Sequence, residues 1–306
     1  MGTLVQGADH ALYGITATGG AFGRGALFRV TTNGALTWLF AFANVTGENP
    51  AAGLVLGRDG LLYGTTGYAG SYGAGTVFRV ATNGVFTTLA SFNPNLGHGS
   101  VCRSPLLQGG DGSFYGTTFY GGSDGDGTLF RVRTNGVITV LSRFGPHAAA
   151  SYPEGPLMQG PDGALYGSTI GGLGNNGTLY RVTTNGVRTI LVEFDYATGA
   201  SPASGVILAS DGYFYGTASG GGLFEGGNLF RVALMPQMRA LRRTEAGWHV
   251  SFEGVAGNIY RVQRTARVSG GAWTALGSAA ASSDGTAAYL DSTPGGAEAY
   301  YRVAYP

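Results

Sequence analysis

The sequence predicts an all-β fold: a β-propeller of about five four-stranded blades, the last incomplete, followed by a small β-sandwich. Three observations predict it. First, one segment recurs five times, its Tyr-Gly pairs starting at Tyr13, Tyr63, Tyr115, Tyr166 and Tyr215, spaced by 50, 52, 51 and 49 residues. Second, each copy holds short apolar runs rich in Val, Thr, Phe and Tyr, bounded by Gly, Asn and Asp, as strands are. Third, glycine contributes 57 of 306 residues, more than twice the usual share of about 7%. No helical period of apolar residues competes.

The second copy shows the unit. Strand a is "GLVLG" (53–57), strand b "LLYGTT" (61–66), strand c "TVFRVAT" (76–82) and strand d "VFTTLASF" (85–92). The a–b link carries Asp59-Gly60, with Asp9-His10, Asp111-Gly112, Asp162-Gly163 and Asp211-Gly212 as counterparts. The c–d link is Asn-Gly at Asn33, Asn83, Asn135 and Asn185. Asn and Asp tolerate positive φ and Gly has no Cβ, so both dipeptides favour tight hairpins. His10 stands where the turn glycine would be and reads as structural. The copies span 3–50, 51–103, 104–154, 155–203 and 204–235, so the propeller is expected over 1–235. The fifth has no Asn-Gly and no strand d; an upstream segment is expected to supply that strand, or the C-terminal segment to cover the edge.

Strand c repeats an arginine at Arg29, Arg79, Arg131, Arg181 and Arg231. Each lies near the tight-turn end, as does each turn aspartate. The expectation is an Asp–Arg pair in every copy, Asp59 with Arg79 being one. Five equal copies argue for structure rather than one ligand site.

The b–c and d–a connections fall at the other end of the strands and are long and variable, which is where binding concentrates on a rigid scaffold. Candidate ligand-binding residues there are Tyr68, Tyr72, Phe119, Tyr120, His98, His147, Tyr152, Glu154, Asn175, Tyr196 and Phe224. Aromatics with amides suit sugar stacking or a protein partner, though such rings also pack their own loops. The Gly-rich b–c loops lead into another strand rather than a helix, and no G-K-[ST] follows, so they are hairpin connections and not phosphate cradles.

Residues 237–306 drop the Tyr-Gly-Thr-Thr pattern. Strands are expected at 238–243, 248–253, 258–264, 273–276, 287–290 and 300–304. Six short strands in so few residues suggest a small sandwich.

The charge balance is 18 basic against 17 acidic residues, which leaves no electrostatic footprint for nucleic acid. No run of about 18 apolar residues exists, so no membrane-spanning segment is expected, and no signal peptide is visible. The single Cys102 permits no intrachain disulfide and has no histidine motif beside it. The four histidines, His10, His98, His147 and His249, show no metal spacing. Asp124 and Asp126 alternate in "SDGDG" as weak calcium candidates, the other loop ligands being missing. No cofactor is expected, and a monomer is.

The unit "LYGTT…GG…GT.FRV.TNG" resembles the GloVer tandem repeat of choice-of-anchor bacterial surface proteins, over residues 3 to about 234. The resemblance implies the fold and an extracellular or cell-surface location. It implies no activity, and this chain ends without a sorting tail. Kelch repeats share the double glycine after strand b but add a tryptophan absent here. The C-terminal segment resembles fibronectin type III-like modules through "WHVSF", "IYRVQR", Trp273 and "YYRV".

Together these lead to a non-catalytic exported recognition or adhesion protein that binds a glycan or protein partner on the loop face. The alternative is a carbohydrate-active enzyme using loop carboxylates such as Glu48, Glu154, Asp195 or Glu225, because glycosidases need two facing carboxylates.

Overall fold

A computed structural model describes residues 4–145, 150–197, 199–210, 213–233, 237–254, 259–266, 272–282, 286–293 and 299–304. The chain divides into two compact units, Met1–Val206 with Gly216–Leu229, and Ile207–Tyr215 with Phe230–Pro306.

The repeats fold as antiparallel meanders. The first sheet is β1 (Val5–Gln6), β2 (Leu12–Thr16), β3 (Ala26–Val30) and β4 (Leu36–Ala41). The second is β5 (Leu54–Leu56), β6 (Leu62–Thr65), β7 (Thr76–Val80) and β8 (Phe86–Ser91). The third is β9 (Leu107–Gln108), β10 (Phe114–Thr118), β11 (Thr128–Val132) and β12 (Ile138–Arg143). The fourth has five strands, β13 (Ala150–Pro153), β14 (Met158–Gln159), β15 (Leu165–Gly172), β16 (Thr178–Val182) and β17 (Arg188–Glu193). The fifth has three, β18 (Val206–Leu208), β19 (Tyr213–Ala218) and β20 (Asn228–Ala233). The fold is all-β and propeller-like.

Both tight links are three-residue loops, not two-residue ones with paired positive φ. Gly60 N–H donates to Gly57 O at 2.9 Å and Gly57 N–H to Leu61 O at 2.8 Å. Only the glycine enters the left-handed region, at φ 78° for Gly60 and 89° for Gly84. This is a turn closed by a left-handed bulge residue. His10 fills that position in the first repeat at φ 61°.

The Tyr-Gly pair has a packing cause. Gly14, Gly64, Gly116 and Gly167 each sit opposite the aromatic of the next strand, Phe28, Phe78, Phe130 and Tyr180. A Cβ on Gly64 would meet Phe78 Cζ at 2.5 Å, so the ring lies across the bare backbone. The preceding tyrosine points to the other face. Its ring covers a second glycine, Gly57 in the second repeat, where a Cβ would meet Tyr63 Cε2 at 2.7 Å.

In the first unit, neighbouring sheets of repeats one to four bury apolar faces against each other. Tyr63 stacks on Phe114 of the third repeat at 4.0 Å, and Phe40 on Phe86 of the second at 3.9 Å. In the first three repeats the residue just after strand d packs edge-on or tilted against the strand-c aromatic of the following repeat: Phe42 on Phe78, Phe92 on Phe130, Phe144 on Tyr180. Leu54, Leu106 and Leu157 are buried at these interfaces, whereas the equivalent Leu4 of repeat one is 53% exposed.

One connection read as a loop is a strand. β13 pairs with an extended β15, Ala150 opposite Gly172 and Pro153 opposite Thr169. Other repeats make only a single bridge there: Glu48 with Tyr68, Ser100 with Tyr120, Ala200 with Gly220. The fourth b–c loop is one residue shorter. Its hydrogen-bonded threonines, Thr169 and Thr178, are 9 apart where Thr118 and Thr128 are 10 apart. The left-handed pair seen at Gly121 and Gly122 is therefore replaced by continued extension.

In the second unit, β21 (Gln237–Thr244), β22 (Gly247–Glu253) and β25 (Thr286–Asp291) form one sheet. β24 (Thr274–Ala280), β23 (Ile259–Thr265) and β26 (Tyr300–Ala304) form another. Val250, Phe252, Tyr260, Val262 and Tyr301 from both sheets share one core. The six strands fall where the alternation predicts them.

Candidate functional site

The repeated Asp, Tyr and Arg form a structural pin at the tight-turn end. Each turn aspartate divides its two oxygens. Asp59 Oδ1 accepts from Leu61 N at 3.1 Å, and Oδ2 from the Tyr63 hydroxyl at 2.6 Å. Tyr13, Tyr115 and Tyr166 donate to Asp9, Asp111 and Asp162 at 2.9 Å each. Arginine closes the group in two repeats, Arg29 to Asp9 at 2.8 Å and Arg181 to Asp162 at 2.7 Å. In the second and third repeats no such ion pair forms; Arg79 and Arg131 are nearby positive charges that slightly oppose the rise in the Tyr63 and Tyr115 pKa. Burial first, and the aspartate next, push the Tyr63 hydroxyl up to about 12. The expected Asp–Arg pair therefore forms in the first and fourth repeats but not between Asp59 and Arg79 or Asp111 and Arg131, and the partner common to all four aspartates is a buried tyrosine, which the spacing alone did not reveal. Asp211 lies outside the described residues.

At the opposite end, the connections from one repeat to the next share a backbone path. Asn49, Val101, Tyr152 and Ser201, one per connection, have φ of 54°, 61°, 60° and 54°. Non-glycine residues in this region are uncommon and strained, and are held only where the surroundings fix them. Here the clamp is a pair of backbone bonds. Tyr152 N–H donates to Asp126 O and Ser201 N–H to Asn176 O, in the preceding b–c loop. Val101 O and Ser201 O accept from Phe119 N and Ser219 N of the following repeats. Buried threonines add to the clamp: Thr76 donates to Thr46 O at 3.0 Å and Thr128 to His98 O at 2.9 Å.

Two residues after each strained position, the chain reaches one cavity of about 340 Å³. Its walls are Ala51, Ala52, Arg103, Ser104, Pro105, Glu154, Pro156 and Ala203. The residues at that offset are Ala51, Arg103, Glu154 and Ala203, so equivalent backbone positions carry two charges and two methyl groups. The repeat symmetry breaks here. Arg103 Nη1 lies 3.3 Å from Glu154 Oε1, both side chains part-exposed. The Arg103 guanidinium sits 3.6 Å over the Phe119 ring, and Phe119 stacks on Tyr152 at 5.2 Å and 25°. Tyr120 meets both rings edge-on, at 4.7 Å and 6.0 Å. The Asp126 carboxylate near the Tyr152 hydroxyl raises its pKa.

Four sequence candidates, Phe119, Tyr120, Tyr152 and Glu154, therefore meet. Phe119 is 6% exposed and serves as the support of the stack, whereas Tyr120 is 44% exposed. Arg103 was not among the candidates. Aligning the four connections on their strand-a leucines or valine would have exposed it as the charged residue where two copies carry alanine. Tyr68, Tyr72, Tyr196 and Phe224 are exposed on their own loops. Asn175 is exposed in a short 3-10 turn at φ 59°. His98 accepts from Asn93 N at 3.3 Å, and burial lowers its pKa. His147 lies outside the described residues. Glu48 pairs with Arg24. Asp126 lies near the Tyr152 hydroxyl, and among the described residues no group of three or more His, Cys, Asp or Glu could hold a metal. No helix among them is long and apolar enough to cross a membrane.

Comparison with solved structures gives likeness of fold alone. The extracellular domain of a protein named as a hybrid two-component system from B. thetaiotaomicron aligns at TM-score 0.50 and 16% identity, over 89% of this chain and 34% of that one. The chain thus spans about a third of that neighbour. A gluconolactonase from Xanthomonas campestris aligns at 0.42 and 13%, over 82% and 89% of the two chains. An exo-β-1,3-galactanase from Phanerochaete chrysosporium aligns at 0.42 and 12%, over 99% and 89%. No curated protein matches the sequence. The profile of the Gloeobacter/Verrucomicrobia repeat matches residues 1–110 and 95–288, running beyond the fifth copy into the C-terminal strands. With most of its length matched, the chain belongs to the Gloeobacter/Verrucomicrobia repeat family.

Proposed function

We propose that this is a non-catalytic recognition protein, exported or at the cell surface, that binds a glycan or protein partner on the face formed by the b–c and d–a connections. The observation that carries the reading is the meeting of Arg103, Phe119, Tyr120, Tyr152 and Glu154 beside the cavity. Aromatics and arginine on a rigid, strained backbone are what binding sites concentrate. Two loop carboxylates open to an enzymatic role, Glu48 and Glu154, are each engaged by an arginine, which supports binding over hydrolysis. Membership of the repeat family supports the location.

We read residues 1–235 as the propeller and 237–306 as a separate fibronectin type III-like sandwich; the two three-stranded sheets around one core support the latter. A glycan array and a partner pull-down test the function. Binding is expected, and is expected to be lost in Tyr120→Ala with the circular dichroism spectrum unchanged. Hydrolysis of a glycan, abolished by Glu154→Gln or Glu48→Gln, would overturn the non-catalytic reading.

A further inference from the structure

We propose that the cavity at Arg103 and Glu154 takes a neutral sugar through two adjacent hydroxyls, one donating to the carboxylate and one accepting from the guanidinium. This rests on the recognition reading above and names its ligand class.

The argument starts from unused hydrogen-bonding capacity. A guanidinium has five N–H donors and a carboxylate about four acceptor sites. Among the described residues the Arg103 side chain donates once, from Nη1 to Glu154 Oε1 at 3.3 Å, and the Glu154 carboxylate accepts only that bond. The rest of both groups is unclaimed by protein and lines the cavity. Their orientation is fixed on both sides. Phe119 supports the guanidinium face at 3.6 Å and is itself buried against Tyr152. The Ser104 hydroxyl donates to the Glu154 carbonyl, tying the connection that carries the carboxylate to the one that carries the arginine.

A donor group and an acceptor group side by side with no net charge select their ligand. An anionic ligand meets Glu154, and a cationic one meets Arg103; like charge at short range is unfavourable. A vicinal diol fits, because each hydroxyl both donates and accepts. The remaining walls suit the C–H faces of a sugar ring. Ala51, Ala52, Ala203, Pro105 and Pro156 are apolar and offer no competing hydrogen-bonding side chain. A cavity of 340 Å³ falls at the small end of ligand pockets, roughly 300–1,000 Å³. Tyr120, edge-on to the Phe119 ring that carries the guanidinium, is an exposed ring available to a neighbouring sugar unit.

Calorimetric titration of the full chain tests this with two sets of oligosaccharides: neutral gluco-, galacto-, manno- and xylo-configured chains, and uronic-acid chains. A neutral chain is expected to bind. Its affinity should hold between about 50 and 500 mM salt, because no net charge is matched. Arg103→Ala and Glu154→Ala should each weaken it by about tenfold or more, and so should O-methylation of one hydroxyl of the diol. Thermal melts of both variants guard against loss of the fold. Binding of uronic-acid chains alone would overturn the ligand class while leaving glycan recognition standing. Neutral-sugar binding lost in Tyr68→Ala but unchanged in Arg103→Ala would overturn the site and again spare the recognition reading. No binding from either set, together with no captured partner, would sink both.

Discussion

The hydroxyl of Tyr63 donates to Asp59 Oδ2 at 2.6 Å while Oδ1 of the same carboxylate accepts from Leu61 N at 3.1 Å. One side chain therefore closes the turn and anchors the buried tyrosine. An asparagine has a single acceptor oxygen, so with that oxygen on the turn N–H it would face the tyrosine with an amide N–H, and the hydroxyl would have to accept rather than donate to a carboxylate. This accounts for aspartate at the a–b turns and asparagine at the c–d turns, where only the turn bond is needed, as from Val85 N to Asn83 at 3.1 Å. Asp59→Asn should keep the turn and exchange the charge-assisted bond from Tyr63 for a weaker neutral one, lowering stability by about 1 kcal/mol in urea unfolding. An unchanged midpoint would show that the pin contributes nothing.

The pins also set the pH range of stability. In Asp111, burial acts to raise the pKa but hydrogen bonds from Tyr115 and Ser113 outweigh it, so the folded value lies below 3.8. In Asp291, burial is likewise outweighed, by Thr293, Tyr301 and Arg264. Groups with lowered folded values contribute stability above 3.8 that is lost as pH falls through the folded value. Tyr63 acts at the other limit. Its contribution is complete below the unfolded value of 10.0 and disappears as pH rises towards 12. Urea midpoints are expected to drop at both limits, with a further decline as pH falls below 6.5, where the lowered His98 opposes protonation in the fold, and with the alkaline loss starting at 9.0, where the Cys102 thiol ionises only in the unfolded chain. A midpoint that rises on acidification below about pH 3.8 would contradict the sign.

Gly64 and Phe78 form a steric pair. Gly64→Ala places a Cβ 2.5 Å from the ring, and overpacking of this kind costs about 1–3 kcal/mol. Phe78→Leu alone leaves a cavity of similar cost. The double variant should lose less than the sum of the singles, a coupling readable in a double-mutant cycle. Additive losses would mean that the ring does not need the bare backbone.

Cys102 sits at the interface of the second and third repeats, fully buried, and burial pushes its thiol up to about 12. A thiol rather than a thiolate reacts slowly. Ellman's reagent should therefore label Cys102 at the rate of unfolding, and labelling as fast as a model thiol at neutral pH would show that the interface opens freely.

Tyr120 and Phe119 are neighbours with different roles. Phe119→Ala removes a buried support and should cost about 3–5 kcal/mol. Tyr120→Ala removes an exposed ring and should leave the melting temperature within about 2 °C. A large destabilisation by Tyr120→Ala would make that ring part of the core rather than a binding surface.

The sequence by itself determined the parts whose causes are local. Five copies, the strands within each, the glycines of the turns and the six C-terminal strands follow from alternation and turn chemistry acting over a few residues. The aspartate–arginine pairing was legible for the first and fourth repeats, where strand direction puts both at one end, but not its absence between Asp59 and Arg79. The tyrosine hub was four residues from its aspartate yet hidden, because a buried ring reads in sequence as core and its hydroxyl partner does not show. β13 was hidden for a related reason: deleting one loop residue changed pairing between segments that sequence treats separately. The site was legible in part: Phe119, Tyr120, Tyr152 and Glu154 stood out in their loops, but their meeting, and Arg103 among them, belonged to tertiary structure. Arg103 lies in the connection into the third repeat, Phe119 in that repeat's b–c loop, and Tyr152 and Glu154 in the connection out of it, and only tertiary packing stacks a guanidinium on one ring and that ring on another. Repetition fixes the backbone path, so each connection arrives at the same cavity; which side chains meet there depends on the few positions where the copies differ.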